Sequence, residues 1–529
     1  MHSDLNENSL EWSRFARRSY FCVFLIFISA MLASSRQPLQ AAGIDVDLKA
    51  MRKAIFKVRV NSQSPDYRQP WALKQMVSSS GTGFYIGERS ILTNAHVVAQ
   101  GKFISVLKDG DDQPVSARVK YIAHDCDLAL LEVLDPNYFN GVSPLEFGDL
   151  PEVRETVNTI GYPSGGEQLS ITQGVVSRIS YRRYVHTGTD SHLLIQVDSA
   201  INPGNSGGPV TQGSDVVGVA FQTQTAAENT GYIIPTPVVQ RFLQDIKDGH
   251  YDGHPVQGIW LMDEALENSA GRAYHGLRPG EGGVKVSKVS SYSPMFNLIK
   301  PGDILLAIDG QLIGVDGKIK LFNERLSFRA LYDLKQVGDS VTFHVLREGN
   351  RTAIEVPLKS QSDFYEPGET FEIRPRFLVF AGHVFTALSR SYLKVWGGNW
   401  STDAPLILRY IQGFSTQLAE FRSKRDIIVL SDRLPHAVNA YAGPYLEEVL
   451  MQVNGRDVGS LEDLSQQFAD AKTEFLNLQF WQKKVPYIIS TKAARAADPL
   501  ILEQYKIPIN HWFGQQGADG ATADWEDAP

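Results

Sequence analysis

The chain has 529 residues, 43% of them hydrophobic and 21% charged, with a net charge of −8. That length exceeds a single hydrophobic core and points to about three or four domains. The acidic balance argues against general affinity for nucleic acid or anionic membranes, and two cysteines, Cys22 and Cys126, exclude a disulfide scaffold or a cysteine-based zinc cluster.

In chain order, Arg14, Arg17 and Arg18 precede the apolar run Tyr20 to Ala33, and small residues follow at Ala33, Ser34, Ser35, Ala41 and Ala42. This is the pattern of an export signal over residues 1–42, directing the protein to a periplasmic or secreted location. The run is shorter than the ~20 residues of a spanning helix, so no stable membrane span is expected. An anchor formed by an uncleaved signal is the alternative. Asp4, Glu7 and Glu11 sit where organellar transit peptides avoid acids.

Residues 43–249 read as all-β. Short runs (GTGFYIG, SILTN, DLALLEV, TVNTIGYP, LLIQVD, VVGVAF) alternate with turn residues. This spacing suits a barrel or sandwich. A helix over Pro237 to Lys247 closes the unit. Residues 250–360 form a second unit, ending in two alternating strands joined at Glu348-Gly349-Asn350. Residues 361–512 form a third, in which EEVLMQVNGRDVG repeats the pattern of GDILLAIDGQLIG in the second. The aromatic-rich connector RFLVFAGHVFTALSRSYLKVWG is expected to pack on that third unit. Residues 513–529 are polar and acidic and predict a disordered tail.

Peptide-bond hydrolysis by serine needs a hydroxyl nucleophile, a base near neutral pKa, a carboxylate to orient the base, and donors for the oxyanion. The β-rich unit offers one candidate for each. His96 follows the strand end in SILTNAHVVA. Asp127 directly precedes an apolar strand in HDCDLALLEV and is preferred over Asp125 for that reason. Ser206 lies in INPGNSGGPV, where Gly204, Gly207 and Gly208 allow a sharp turn. The N–H groups of Gly204 and Ser206, with Asn205 as a further candidate, are the natural oxyanion donors. GNSGG also fits the G-x-S-x-G elbow of α/β-hydrolases. That elbow needs a following helix and the order Ser, Asp, His, whereas here a turn and a strand follow and the order is His, Asp, Ser. His124, Asp125 and Cys126 suggest metal ligands only weakly, since no second cluster completes a site; no metal and no cofactor is expected. The absence of a phosphate-cradling Gly-rich motif gives no sign of a nucleotide requirement.

The blocks SGTGFYIGERSILTNAHVV, HDCDLALLEV and INPGNSGGPV resemble the catalytic blocks of the Deg/HtrA family of trypsin-like proteases. PGDILLAIDG and VDGKIKLFNERLSFRAL resemble the long-insert PDZ domain of its plant-type branch. The resemblance implies a mainly β fold: a chymotrypsin-like double β-barrel followed by two PDZ-like α+β domains. It implies Ser206 as nucleophile, His96 as general base and Asp127 as orienting carboxylate. It also implies a homo-oligomer, a trimer or a multiple of trimers.

The position of a basic-specific pocket carboxylate falls on Ala200. Ile201 beside it resembles the family's pocket lining and favours small or medium aliphatic side chains. The strand Val217 to Gln222, with Val219, Ala220 and Phe221, is expected to be an edge that pairs with extended substrate. Extended backbone is available mainly in unfolded or damaged polypeptides, the expected substrates. Peptide C-termini are the expected PDZ ligands, with a carboxylate loop at Gly258, Ile259, Trp260 and Leu261. The competing readings are a PDZ scaffold or chaperone with a latent protease domain, and a small-ester hydrolase.

Overall fold

The computed structural model describes residues 48–163, 166, 168–199, 201–223, 230–262, 266–290, 293–360, 369–415, 418–421 and 424–514. The predicted signal, Ala200 and all of the predicted tail after Gly514 lie outside the described residues.

After helix α1 (Leu48–Lys53), six strands close a first barrel: β1 (Ile55–Ser62), β2 (Val77–Gly87), β3 (Ser90–Thr93), β4 (Gly101–Lys108), β5 (Val115–Ala123) and β6 (Leu128–Val133), in the order β1-β2-β3-β6-β5-β4. Their inward residues, including Phe56, Val58, Val60, Ile91, Val106 and Leu131, form one buried cluster. The short helix α2 (Ala95–Val98) interrupts the β3–β4 connection. Glu88 and Arg89 hold φ of 49° and 60°, the left-handed pair that a two-residue hairpin turn requires.

A second barrel follows: β7 (Thr156–Gly161), β8 (Ser170–Arg183), β9 (Ser191–Val197), β10 (Pro209–Gln212), β11 (Asp215–Thr223) and β12 (Gly231–Pro235), closed in the order β10-β11-β12-β9-β8-β7. Helix α3 (Thr236–Asp245) starts with Pro237 in its first turn and buries Val238, Val239 and Phe242. The architecture is thus the expected double barrel.

The next sheet contains β13 (Ile259–Met262), β14 (Val284–Val289), β15 (Ile304–Ile308) and β16 (Gln311–Leu312). The long insert supplies a separate hairpin of β17 (Lys318–Leu321) and β18 (Glu324–Ser327). Strands β19 (Ser340–Arg347) and β20 (Asn350–Pro357) complete the order β13-β14-β15-β19-β20, with β16 on β15. The β19–β20 loop is Glu348-Gly349 alone; Asn350, expected in the turn, already pairs with Arg347.

The last sheet holds β21 (Phe377–Phe380), β22 (His383–Ala387), β23 (Ile428–Arg433), β24 (Val449–Val453), β25 (Arg456–Asp457), β26 (Phe475–Phe480), β27 (Tyr487–Ser490) and β28 (His511–Trp512). Its order is β27-β26-β24-β23-β22-β21-β28, with β25 on β24. The aromatic-rich connector therefore becomes two strands of this sheet, with Leu378 and Phe385 in its core. Both members of the sequence repeat form the same hairpin. Asp309-Gly310 turn with φ of 45° and 79°, Asn454-Gly455 with φ of 51° and 76°.

Candidate active site

His96 lies in α2 and Asp127 immediately before β6, and β3 pairs with β6 through Thr93 and Ala129. That pairing sets the two side chains face to face. His96 Nδ1 meets Asp127 Oδ2 at 2.7 Å, and the His96 backbone N–H donates to Asp127 Oδ1 at 2.8 Å. Asn94 Nδ2 donates to the Asp127 carbonyl at 2.9 Å. Asp127 is fully buried and holds φ of 56°, a conformation that costs a non-glycine residue about 1–3 kcal/mol and persists only when its surroundings impose it. Burial opposes charging both partners. The Asp127 field and hydrogen bond nevertheless hold the His96 pKa above the ordinary histidine value, and His96 holds that of Asp127 below the usual carboxylate range.

Ser206 arrives from the second barrel on a tight loop. Asn205 N–H donates to Asn202 O at 3.0 Å across Pro203-Gly204, and Gly204 has φ of 97°; proline then glycine is what a type II turn demands. Gly207 N–H donates to Ala220 O at 2.8 Å and Gly208 N–H to Asn205 O at 2.9 Å. Asn205 N–H is thereby spent inside the loop. Among the described residues, no acceptor pairs with the N–H of Gly204 or Ser206.

The first barrel grips this loop through Thr82, a residue the sequence analysis read only as part of a strand. Thr82 N–H donates to Ser206 O at 2.9 Å, and Thr82 Oγ1 donates to Gly204 O at 2.7 Å and accepts from Tyr162 N–H at 2.9 Å. Thr93 Oγ1 in turn donates to Thr82 O at 2.7 Å. Approach is so close that a Cβ on Gly207 would lie 2.1 Å from Thr82 O and 2.2 Å from Thr93 Oγ1. The serine loop is therefore seated beside the segment that ends in His96. The Ser206 hydroxyl donates to Phe221 O at 3.3 Å, and among the described residues no hydrogen bond joins it to His96.

Ile201 is buried, and its side chain would lie 2.7 Å from a Cβ added at Gly231. Val219 and Ala220 are buried with Phe221. The expectation of a free edge along Val217 to Gln222 needs correction. Up to Val219, β11 is paired with β10 on one side and from Gly218 with β12 on the other, and Ala220 exchanges backbone bonds with Gly207 and Gly208. Barrel closure leaves an edge only from Phe221 onward. In the next unit, Gly258 (φ 61°) turns the chain into β13, an edge strand. There Ile259 is buried, Leu261 partly so and Trp260 exposed, with Lys288 Nζ 5.1 Å from the Trp260 ring.

Four histidines, His124, His186, His192 and His254, also gather here with Asp125 and Asp333; of these the sequence analysis weighed only His124 and Asp125. His124 and His186 lie on the rim, with the His186 ring 6.1 Å from that of His96. Burial lowers the His186 pKa to about 4. His192 and His254 lie at the seam with the next unit. His192 Nδ1 meets Asp333 Oδ1 at 2.7 Å, Leu193 N–H donates to Asp333 Oδ2 at 2.6 Å, and His254 Nδ1 lies 3.2 Å from Asp125 Oδ2. The groups Asp125, Cys126, His254 and His192, His254, Asp333 each bring ligand atoms within 4.8 Å of one another. Every carboxylate oxygen among them already accepts a hydrogen bond. Apart from the consecutive His124, Asp125 and Cys126, nothing in local sequence marks these residues as neighbours.

Residues 81–219 match a trypsin-like peptidase domain, and residues 262–358 and 367–511 each match a PDZ domain. Protease Do-like 4, mitochondrial, from Arabidopsis thaliana is 36% identical over 88% of this chain and 85% of its own length. Protease Do-like 2, chloroplastic, from the same plant is 34% identical over 86% of this chain and 74% of its own length. The HtrA-type protease AlgW, solved with a tripeptide, is 23% identical, covers 60% of this chain and 97% of its own, and superposes with a TM-score of 0.46. Two closed barrels followed by PDZ domains define a trypsin-like serine endopeptidase. The chain belongs to the Deg/HtrA family of Do-like proteases.

Proposed function

We propose that this chain cleaves unfolded or damaged polypeptides by an acyl-enzyme mechanism without ATP. The observation that carries the reading is the His96–Asp127 pair standing beside a glycine-rich serine loop that the opposite barrel clamps in place. In the reaction, the Ser206 hydroxyl leaves Phe221 O and turns onto His96, which takes its proton as the oxygen attacks the scissile carbonyl. Asp127 holds the imidazole in one tautomer and stabilises its charged form. The N–H groups of Gly204 and Ser206 receive the oxyanion. His96 then protonates the departing amine, and water releases the acyl group from Ser206.

An extended substrate pairs with β11 from Phe221 onward, and Ile201, with Ala200 beyond the described residues, favours a small or medium aliphatic side chain in the pocket. β13, entered from Gly258 and carrying Ile259, Trp260 and Leu261, takes an apolar peptide C-terminus along its free edge. The proposed assembly is a trimer or a multiple of trimers. The proposed site of action is an extracytoplasmic compartment reached through residues 1–42; the mitochondrial and chloroplastic names of the relatives supply the competing address, which imaging of a tagged chain decides.

Casein cleavage by purified wild type and Ser206→Ala, with the products sequenced, tests the activity. The expected loss in turnover is on the order of 10⁴–10⁶. Equal cleavage by both proteins defeats the reading and favours a scaffold or chaperone.

A further inference from the structure

We propose that His124 and His186 form an aromatic subsite on the rim of the catalytic cleft, filled at rest by the chain's own Phe371-Glu372. Extended peptides with an aromatic residue followed by an acidic one compete for it. The inference rests on the cleft being a peptide-binding site, and it adds an internal occupant and a sequence preference.

The Phe371 ring stacks on both imidazoles, with centroids 4.1 Å from His124 at 11° and 4.4 Å from His186 at 28°. The two imidazoles are joined by a 2.8 Å contact between His124 Nδ1 and His186 Nε2. The next residue is held as firmly. Glu372 Oε1 accepts the Gln100 backbone N–H at 2.6 Å, and Oε2 meets His124 Nε2 at 2.5 Å. Gln100 follows α2, which carries His96, and His124 lies three residues before Asp127. One carboxylate from the third unit therefore ties together the two segments that supply the catalytic pair.

The slot adjoins the substrate path. His186 is 6.1 Å from His96 between ring centroids, and Tyr184, two residues earlier, packs at 4.7 Å on Phe221, where the open edge of β11 begins. A peptide laid along that edge passes the slot and meets Phe371 in it. With its pKa near 4, His186 stays neutral at ordinary pH and offers an aromatic face without adding charge beside Asp127.

Two features favour a removable occupant over a packed core. Phe371-Glu372 belongs to an irregular segment before β21, and the Glu372 and His124 side chains remain 25% and 19% exposed. Glu372 also holds φ of 55°, a conformation maintained by its contacts rather than by local preference. The segment is tethered just upstream by Thr370, which pairs with Tyr67 Oη at 2.7 Å and with Ser391 Oγ at 2.9 Å, so release of the two residues need not undock the sheet behind them.

The test measures binding without catalysis, so it is independent of whether the chain is a peptidase. A fluorescent peptide of residues 369–375 (ETFEIRP) is titrated into full-length Ser206→Ala chains with and without Phe371→Ala/Glu372→Gln. Emptying the slot is expected to tighten peptide binding at least about tenfold (about 1.4 kcal/mol), and adding His186→Ala is expected to remove the gain. Glu372→Gln alone, nearly isosteric, is expected to give a smaller gain in the same direction. In the active chain, Phe371→Ala/Glu372→Gln is expected to raise kcat/KM on casein several-fold. Equal peptide affinity in filled and emptied chains, or lower casein turnover in the emptied one, overturns the proposal. Casein left uncut by wild type overturns the peptidase reading alone.

Discussion

Two histidine–aspartate pairs in this molecule share one geometry and have opposite surroundings. In each, imidazole Nδ1 meets a carboxylate oxygen at 2.7 Å, and the second oxygen accepts a backbone N–H: that of His96 itself in one case, of Leu193 in the other. The His96 side chain keeps 32% exposure and stands beside the serine loop; that of His192 keeps 4% and is sealed between the second barrel and the first PDZ unit. Under the proposed mechanism the same acid–imidazole chemistry serves as a base where the side chain is open to solvent, and as a structural joint where burial leaves nothing to deprotonate.

The comparison breaks first at the carboxylates. Asp127→Asn is expected to lower turnover about 10⁴-fold with the fold intact, because the imidazole is then held in the wrong tautomer. The measurement is casein hydrolysis alongside a melting curve. Gly207→Ala comes next. Its Cβ has no room against Thr82 O and Thr93 Oγ1, and φ is 85°, so the serine loop must shift. The expected loss is about 10²–10³ in kcat, comparable to losing one oxyanion donor.

Asp333→Ala is expected to act in the opposite currency. It leaves the His192 imidazole buried without its partner and costs about 3–5 kcal/mol of stability. Molecules still folded retain near-wild-type kcat/KM. A drop in kcat as large as that of Asp127→Asn, with stability unchanged, erases the distinction between the pairs.

The pH responses sharpen the comparison most finely. His96 must be neutral to act as base and its pKa is raised, so the ascending limb of kcat/KM is expected to centre above about pH 6.5. For His192, burial is outweighed by Asp333 and the pKa is likewise raised. Its stabilisation is full below the unfolded value of about 6.5 and fades as pH rises through the folded value. The stability difference between wild type and His192→Gln, followed by urea titration, is therefore expected to narrow with rising pH. A difference that widens contradicts the assigned pairing.

Much of this was legible in the chain before folding. Alternating apolar residues broken by turns gave an all-β unit, barrel or sandwich, because strand period and turn chemistry are local properties; the double barrel was implied by the family resemblance. The Asp309-Gly310 and Asn454-Gly455 hairpins were readable for the same reason. His96, Asp127 and Ser206 were legible as candidates because each sits in a short segment whose chemistry is local. The free edge along Val217 to Ala220 was misread, because barrel closure joins β10 and β12 to both sides of a strand that looks the same either way.

By itself, the sequence determined which side chains were available for acyl transfer and on which strands and turns they would sit. Only the tertiary structure decided which of them meet. The seating of the serine loop under Thr82 spans 122 residues between hydroxyl and carbonyl, the His192–Asp333 joint 141, and the Glu372 clasp on His124 248. Such contacts leave no periodic trace along the chain, since their partners are chosen by the closure of barrels and the docking of whole units.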